Sequence, residues 1–386
     1  ILTLATGSLI ATDSQGQPEP SLASHWTISE DGKTYIVFLK DNLKWHDTTP
    51  VDAKDITIAI ENVQITALNN KAIEFKLTTP LVSFPTALDK PVFKANTFYG
   101  TGQYRMVDID SIDGIVKRIS LIPKIKDLPK VDIRFYQSEK QLAEALKIGE
   151  VKTTTVASAS QFQSWPNLSV VRRVDYQEIV TVFFNLEDPL LSSKELRQAL
   201  SYSINKTEFD GQLAQSPISK QSWAHATDTK RYDYNTGRAK ELLSKSQVVD
   251  KKLKISATSD LVEVAASVQK DWQELGFEVE VEEVTEIPQN FQVLIATEKL
   301  PKDPDQYSLW HSTQNETNLT KVKDVRIDKV LEDARTSGDQ EQRKELYADF
   351  QRTLTELVPA AFLYHPYKYK VVYNNLKPLV EKLNLK

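Results

Sequence analysis

Residues 29–55 read SEDGKTYIVFLKDNLKWHDTTPVDAKD. The polar turn "EDGK" feeds "TYIVFLK", where Tyr35, Val37 and Leu39 alternate with Thr34, Ile36 and Phe38. Both faces carry apolar groups, so the spacing predicts a strand buried on both sides. After Pro50, Asp52 stands where a helix N-cap would, and Ile56, Ala59, Ile60 and Val63 recur at helical spacing, which predicts a helix over "AKDITIAIENV". Between the two elements, Trp45 and His46 sit in a loop defined tightly on both sides. A catalytic site and a non-catalytic recognition fold would each explain such a loop, so the remaining residues have to decide.

Working outward, "KAIEFKLTTP" (71–80) is a strand ended by Pro80, and "IVKRISLIP" and "KVDIRFYQS" are two more. "EKQLAEALKIGE" reads as a short helix closed near Gly149, and "TVFFNLEDP" (181–189) as a strand leading out of the first half. Beyond it, "SKELRQALSYSINKTEF" and "TGRAKELLSKS" read as helices. "KLKISAT", "LVEVAASVQKDWQELG" and "FEVEVEEV" then form a strand–helix–strand unit, with Gly276 as the helix-ending glycine, which predicts parallel pairing in an α/β lobe. "FQVLIAT" (291–297) is one more strand. The polar, proline-broken stretch "EKLPKDPDQYSLWHSTQNETNLT" follows it, and a loop of this length carrying aromatic residues points to function. Helices over "RIDKVLEDARTS" and "QEQRKELYADFQRTLTELV" and a returning strand "AAFLYHPYKYKVVYNN" complete the chain.

With 386 residues, two or more lobes are expected, and the absence of a Gly/Ser linker suggests that strands carry the chain between them. The 48 Lys and Arg and 53 Asp and Glu are mixed throughout, which leaves no basic stripe for nucleic acid. No apolar run approaches the ~20 residues of a membrane span. "ILTLATGSLIA" lacks the charged lead and length of a signal peptide, so the expectation is a mature or trimmed chain. Zero cysteines exclude thiolate metal sites, disulfides and cysteine nucleophiles.

Catalytic signatures are missing. Neither a P-loop nor a Rossmann glycine pattern occurs among the 11 glycines. The histidines His25, His46, His225, His311 and His365 are never within i+4 of one another, which argues against a local metal site. No Gly-x-Ser-x-Gly anchors serine acyl transfer. The sequence favours recognition over catalysis, with no cofactor and no metal.

"PEPSLASHWTISEDGKTYIVFLKDNLKWHDTTPVDAKDI" resembles the signature segment of family 5 of the extracellular solute-binding proteins, the oligopeptide-, dipeptide- and nickel-binding proteins of bacterial ABC importers. "YGTGQYRMV", "FFNLEDPLLSSKELRQALSYSINK", "YNTGRAKELL", "VQKDWQELGFEVEV", "DPDQYSLWHSTQ" and "VPAAFLYHP" continue the resemblance in order. It implies an α/β, two-lobed periplasmic-binding-protein-like fold (type II, cluster C-like) with a small extra subdomain on the first lobe. The expected division is residues 1–19, 97–182 and 365–386 for the first lobe, 20–96 for the subdomain and 183–364 for the second lobe. Trp45 and His46 then become fold markers. "TVFFNLEDP" and "AAFLYHP" become the hinge crossings.

The implied function is that of an extracytoplasmic, monomeric substrate-binding protein, possessing no enzymatic activity and able to carry a lipid anchor before trimming. It captures an oligopeptide in an interlobe cleft and delivers it to membrane permease subunits by lobe closure. A nickel chelate or other small solute on the same scaffold, a non-transport chaperone or docking module, and a hydrolase in the same compartment are the alternatives. The expected ligand-binding residues are Asp303, Gln306, Tyr307, Trp310 and His311 facing Tyr99 and Gln103, with Phe184, Asn185 and Tyr364 near the hinge and Trp223 in addition. The chain departs from the family at Lys40, Thr48 and Gln103, and its opening strand looks absent. Leu300 stands where peptide binders often place an acid for the ligand's amino terminus. Glu298, Asp303 or Asp305 are the substitutes within reach.

Overall fold

The computed structural model describes residues 2–246 and 248–383 of a mixed α/β chain. The chain forms two compact units: residues 1–13, 17–173 and 368–386 make the first, and 14–16 and 174–367 the second.

In the first unit, strands β1 (Ala23–Ile28), β2 (Thr34–Leu39), β3 (Val63–Asn69) and β4 (Ala72–Leu77) form an antiparallel sheet in the order β1-β2-β4-β3. Tyr35, Val37 and Leu39 point into one core with Phe75, Phe84 and Trp45. The other face of β2 is only half-buried, so the expected two-sided burial holds on one side, while Phe38 lies under the stacked ring of His25 at 4.5 Å. The helix expected over "AKDITIAIENV" does not form. Asp52 does cap, accepting from Lys54 N, but only a 3₁₀ turn, Ala53–Asp55, follows. Ile56–Thr57 instead pair with Phe93–Lys94, and Val63 already belongs to β3. The β-branched Ile56, Thr57, Ile58 and Ile60 lose side-chain freedom in a helix and gain cross-strand packing in extended form.

Strands β5 (Tyr104–Ile112), β6 (Ile115–Pro123) and β7 (Val131–Arg134) make a second antiparallel sheet over Tyr104, Met106, Ile119 and Leu121. Helix α1 (Glu139–Lys147), N-capped by Ser138 and ended beside Gly149 at φ +72°, packs with β8 (Thr153–Val156) around Leu146 and Phe162.

The second unit is a sheet covered on both faces. Its strands are β9 (Glu178–Phe184), β10 (Gly211–Leu213), β11 (Lys252–Thr258), β12 (Glu278–Val284), β13 (Val293–Lys299) and the first part of β14 (Ala360–Tyr373). The order is β14-β9-β13-β11-β12, with β10 also on β14. The predicted parallel unit is present: β11 pairs in parallel with β12 and with β13, and α4 (Val262–Glu274) connects β11 to β12. Gly276, at φ +96°, takes the left-handed turn after that helix.

The two-residue period of the strands sorts the core. Val180, Val182, Phe184, Val293 and Ile295 face α2 (Lys194–Ser203), α3 (Thr236–Lys245) and α4. Ile179, Phe183, Leu294 and Ala296 face α6 (Val325–Thr336) and α7 (Gln340–Leu357). The chain passes between units at 173/174 and returns at 367/368. Residues 181–189 therefore lie wholly within the second unit and are not a crossing, because the apolar character that suggested one belongs to a strand buried on both faces. The return does run along β14, just beyond "AAFLYHP".

Candidate functional site

The long loop after β13 resolves into a short helix, α5 (Tyr307–Trp310), and a set of side chains held by the helices behind it. Asp303 is 5 % exposed; its Oδ1 accepts from Arg343 Nη2 at 2.7 Å and from the backbone N–H of Asp305 at 3.0 Å. Burial pushes the Asp303 carboxyl up, and the Arg343 guanidinium pulls it back. Arg343 also donates from Nε to the carbonyl of Ala334 and lies over the ring of Trp223 at 5.2 Å. Asp305 is spent in the same way, accepting from Arg335 Nε at 3.0 Å. Gly16, at φ +95°, presses its backbone so closely on the loop that a Cβ there would meet the carbonyl oxygen of Lys302.

Gln306 and Trp310 form one buried pair, with Trp310 Nε1 donating to Gln306 Oε1 at 3.2 Å. Trp310 is 1 % exposed and packs on Phe183 and Phe362, so it is core beneath the loop. His311 is equally committed. Its Nδ1 lies 2.8 Å from Thr313 Oγ1, its Nε2 lies 3.3 Å from Glu332 Oε1, and its ring stacks on Tyr307 at 4.0 Å. Tyr307 stays half-buried, with the Arg335 guanidinium 4.3 Å over its ring.

The structure draws Trp223 towards this cluster through Arg343, and its buried Nε1 has no partner among the described residues. Three other expected residues have structural positions. Phe184 points to the opposite face of the sheet, against Trp272. Asn185 closes a turn, donating from Nδ2 to the carbonyl of Phe291 at 2.8 Å. Counted along the ladder from Glu298, which pairs with Ile179, that turn is roughly 20 Å away. Tyr364 is core, stacked on Phe209, with Gly211 so close that a Cβ there would strike its ring; burial pushes its hydroxyl up to about 12. In the first unit, Tyr99 is half-buried beside a recess of about 450 Å³ that Phe98 and Met106 also line. Gln103 is exposed, and its carbonyl accepts from Lys124 N.

Trp45 and His46 settle as structure. Trp45 is 1 % exposed; His46 Nδ1 accepts from Gly100 N–H, and its Nε2 donates to the carbonyl of Gly102, each at 3.1 Å.

The residue named only as one of three substitutes for the missing acid is the most telling. Glu298 keeps some surface, yet its Oε2 is buried with no partner among the described residues, and burial alone pushes the carboxyl up to about 8. It shares a face of the β9/β13 ladder with Thr181, whose buried hydroxyl also lacks a partner among the described residues. The signal was an acid at the end of the apolar run "FQVLIATEK".

Residues 17–319 match the family described as bacterial extracellular solute-binding proteins, family 5 Middle. The oligopeptide-binding protein AppA of Bacillus subtilis (strain 168) is 26 % identical over 59 % of this chain, a match spanning 48 % of that protein. The dipeptide-binding protein of Escherichia coli (strain K12) is 21 % identical, with 94 % of this chain and 83 % of the relative covered. The fold is that of NikZ from Campylobacter jejuni, solved in complex with Ni(L-His): the TM-score is 0.77 at 22 % identity, covering 96 % of this chain and 89 % of the other. The α/β fold and the family match agree, and the chain belongs to the family 5 bacterial extracellular solute-binding proteins.

Proposed function

We propose that this chain is the extracytoplasmic substrate-binding protein of an ABC importer, that its ligand is a peptide with a free amino terminus, and that it hands the ligand to membrane permease subunits by closing its lobes. The oligopeptide- and dipeptide-binding relatives support the ligand class. The observation that carries the reading is the allocation of acids. Arg343 and Arg335 consume Asp303 and Asp305, which leaves Glu298 as the carboxyl with a buried, unpartnered oxygen. A buried carboxylate without a counter-charge is costly, and an incoming ammonium supplies the charge. Thr181 Oγ1 and Trp223 Nε1 are further buried groups without partners among the described residues. Tyr307, half-buried and flanked by a guanidinium, offers a ring for a variable side chain.

The test is calorimetric titration with trialanine and N-acetyl-trialanine. Trialanine should bind more tightly by at least about tenfold, the worth of a charge-assisted hydrogen bond. Because Glu298 has to lose its proton to receive an ammonium, trialanine affinity should rise with pH up to about 8, where the peptide's own amine begins to deprotonate. Glu298→Gln should remove both the preference and the slope. Equal binding of the two peptides would sink the Glu298 assignment. A nickel chelate is the second reading, suggested by the Ni(L-His) complex of NikZ, and binding of Ni(L-His) without binding of either peptide would favour it.

A further inference from the structure

A second cavity, of about 110 Å³, lies within the second unit, where the segment after α2 meets β10 and the start of β14. Lys206, on the turn that follows α2, supplies its cation. Among the described residues no hydrogen bond or ion pair reaches the Lys206 ammonium; the residue keeps some surface, yet burial draws the ammonium down to about 8, with Asp233 as the charge that opposes the shift. The other polar groups on the wall are mostly committed. Tyr232 donates its hydroxyl to the carbonyl of Thr355 at 2.9 Å, Thr207 Oγ1 donates to Asn205 Oδ1 at 2.7 Å, and Asp233 pairs with Arg231 at 3.2 Å. Tyr234, 47 % exposed, is also on the wall, and its hydroxyl makes no hydrogen bond among the described residues. Gln215 and Thr355 complete the polar part of the wall: with its amide turned towards the guanidinium, Gln215 accepts from Arg231 at 3.1 Å, and Thr355 Oγ1 donates to the carbonyl of Gln351 at 2.8 Å. The remainder is apolar: Leu213, Ala214, Ala360, Ala361 and Phe362.

Lys206 and the Tyr234 hydroxyl are the polar groups of the wall left without a hydrogen bond among the described residues, and with the apolar floor they define the occupant. We propose that this cavity binds a small monocarboxylate with a short aliphatic tail, its carboxylate on Lys206 and Tyr234 and its tail against Leu213, Ala214 and Phe362. A carboxylate restores the charge balance that burial denies the ammonium. The tail gains about 0.8 kcal/mol for each buried methylene, which inorganic phosphate cannot match. The cavity has room for a few carbon atoms, since one water takes about 30 Å³ of the liquid. The site uses none of the residues assigned to peptide capture, so the two proposals stand or fall separately.

The test is protection of Lys206 from acetic anhydride, mapped by mass spectrometry on the intact protein. With butyrate at about ten times its dissociation constant, mass action should slow acetylation of Lys206 about tenfold and leave the other lysines unchanged. Butylammonium and inorganic phosphate at the same concentration should protect little. Lys206→Met should abolish butyrate binding by calorimetry while trialanine affinity stays at its wild-type value. Unchanged labelling of Lys206 with butyrate, equal protection by phosphate, or protection by butylammonium would each overturn the proposal.

Discussion

At the scale of the residue, the decisive matter is which charges are already spoken for. Arg343 and Asp303 form a buried pair, so replacing Arg343 by Met strands a carboxylate away from water and should cost about 3–5 kcal/mol in a denaturant melt. A loss within about 0.5 kcal/mol, the range of an ordinary surface substitution, would mean that the pair is not structural. Glu298 is the converse case. Its folded value, about 8, lies above the unfolded value of a glutamate, so its contribution to stability is fully present below about pH 4.3 and is lost as pH rises through 8. Glu298→Gln should therefore melt close to the wild type at pH 4 and above it at about pH 8, and parallel pH profiles would contradict this. Little of this was legible in the sequence. Asp303 and Asp305 looked like ligand groups because their partners are 40 and 30 residues away in the chain. Trp310 was expected at the ligand because a polar loop surrounds it, whereas it packs on Phe183 and Phe362.

Elements were read more faithfully than sites, because period and punctuation are local. Helix α4 with Gly276, strand β13 and helix α7, which buries Tyr347, Phe350 and Leu354, stand where the sequence places them. The stretch after Asp52 misled because apolar residues at helical spacing were also β-branched, and Phe93–Lys94 offered them a strand partner. Two element-scale predictions follow the hydrogen bonds. Asp339 accepts from Glu341 N and Gln342 N at the start of α7, so Asp339→Ala should cost about 1 kcal/mol. Gly102 packs so tightly that a Cβ would sit 2.3 Å from the carbonyl oxygen of Leu4, and its own carbonyl accepts from His46. Gly102→Ala should lower the melting temperature far more than Gly114→Ala, although Gly114 carries the positive φ: overpacking against backbone costs about 1–3 kcal/mol or more, whereas a Cβ at Gly114 meets nothing within 4 Å. The reverse order would show that the 100–102 segment gives way.

At the scale of the whole molecule, each unit has its own buried cores, and the chain passes between units in few places. Scanning calorimetry should resolve two transitions in ligand-free protein, and saturating ligand should raise stability by about 2.7 kcal/mol at a hundredfold excess over its dissociation constant. A single transition with equal calorimetric and van't Hoff enthalpies would mean that the units unfold as one. The family was legible because its signature runs from Pro18 to Ile56 and further segments of the family pattern follow it in order along the chain, which local patterns alone do not reproduce. The ligand was less so, since one scaffold serves several solutes and specificity lies in side chains whose partners only the fold brings near. The central claim is that the chain captures peptides. The direct measurement is to unfold and refold the protein, incubate it with a mixed protein digest, reisolate and denature it, and analyse the released molecules by mass spectrometry. Short peptides with free amino termini, enriched over a control protein and depleted in Glu298→Gln, are the predicted result. No peptide above the control, from protein that still binds Ni(L-His), would contradict the account.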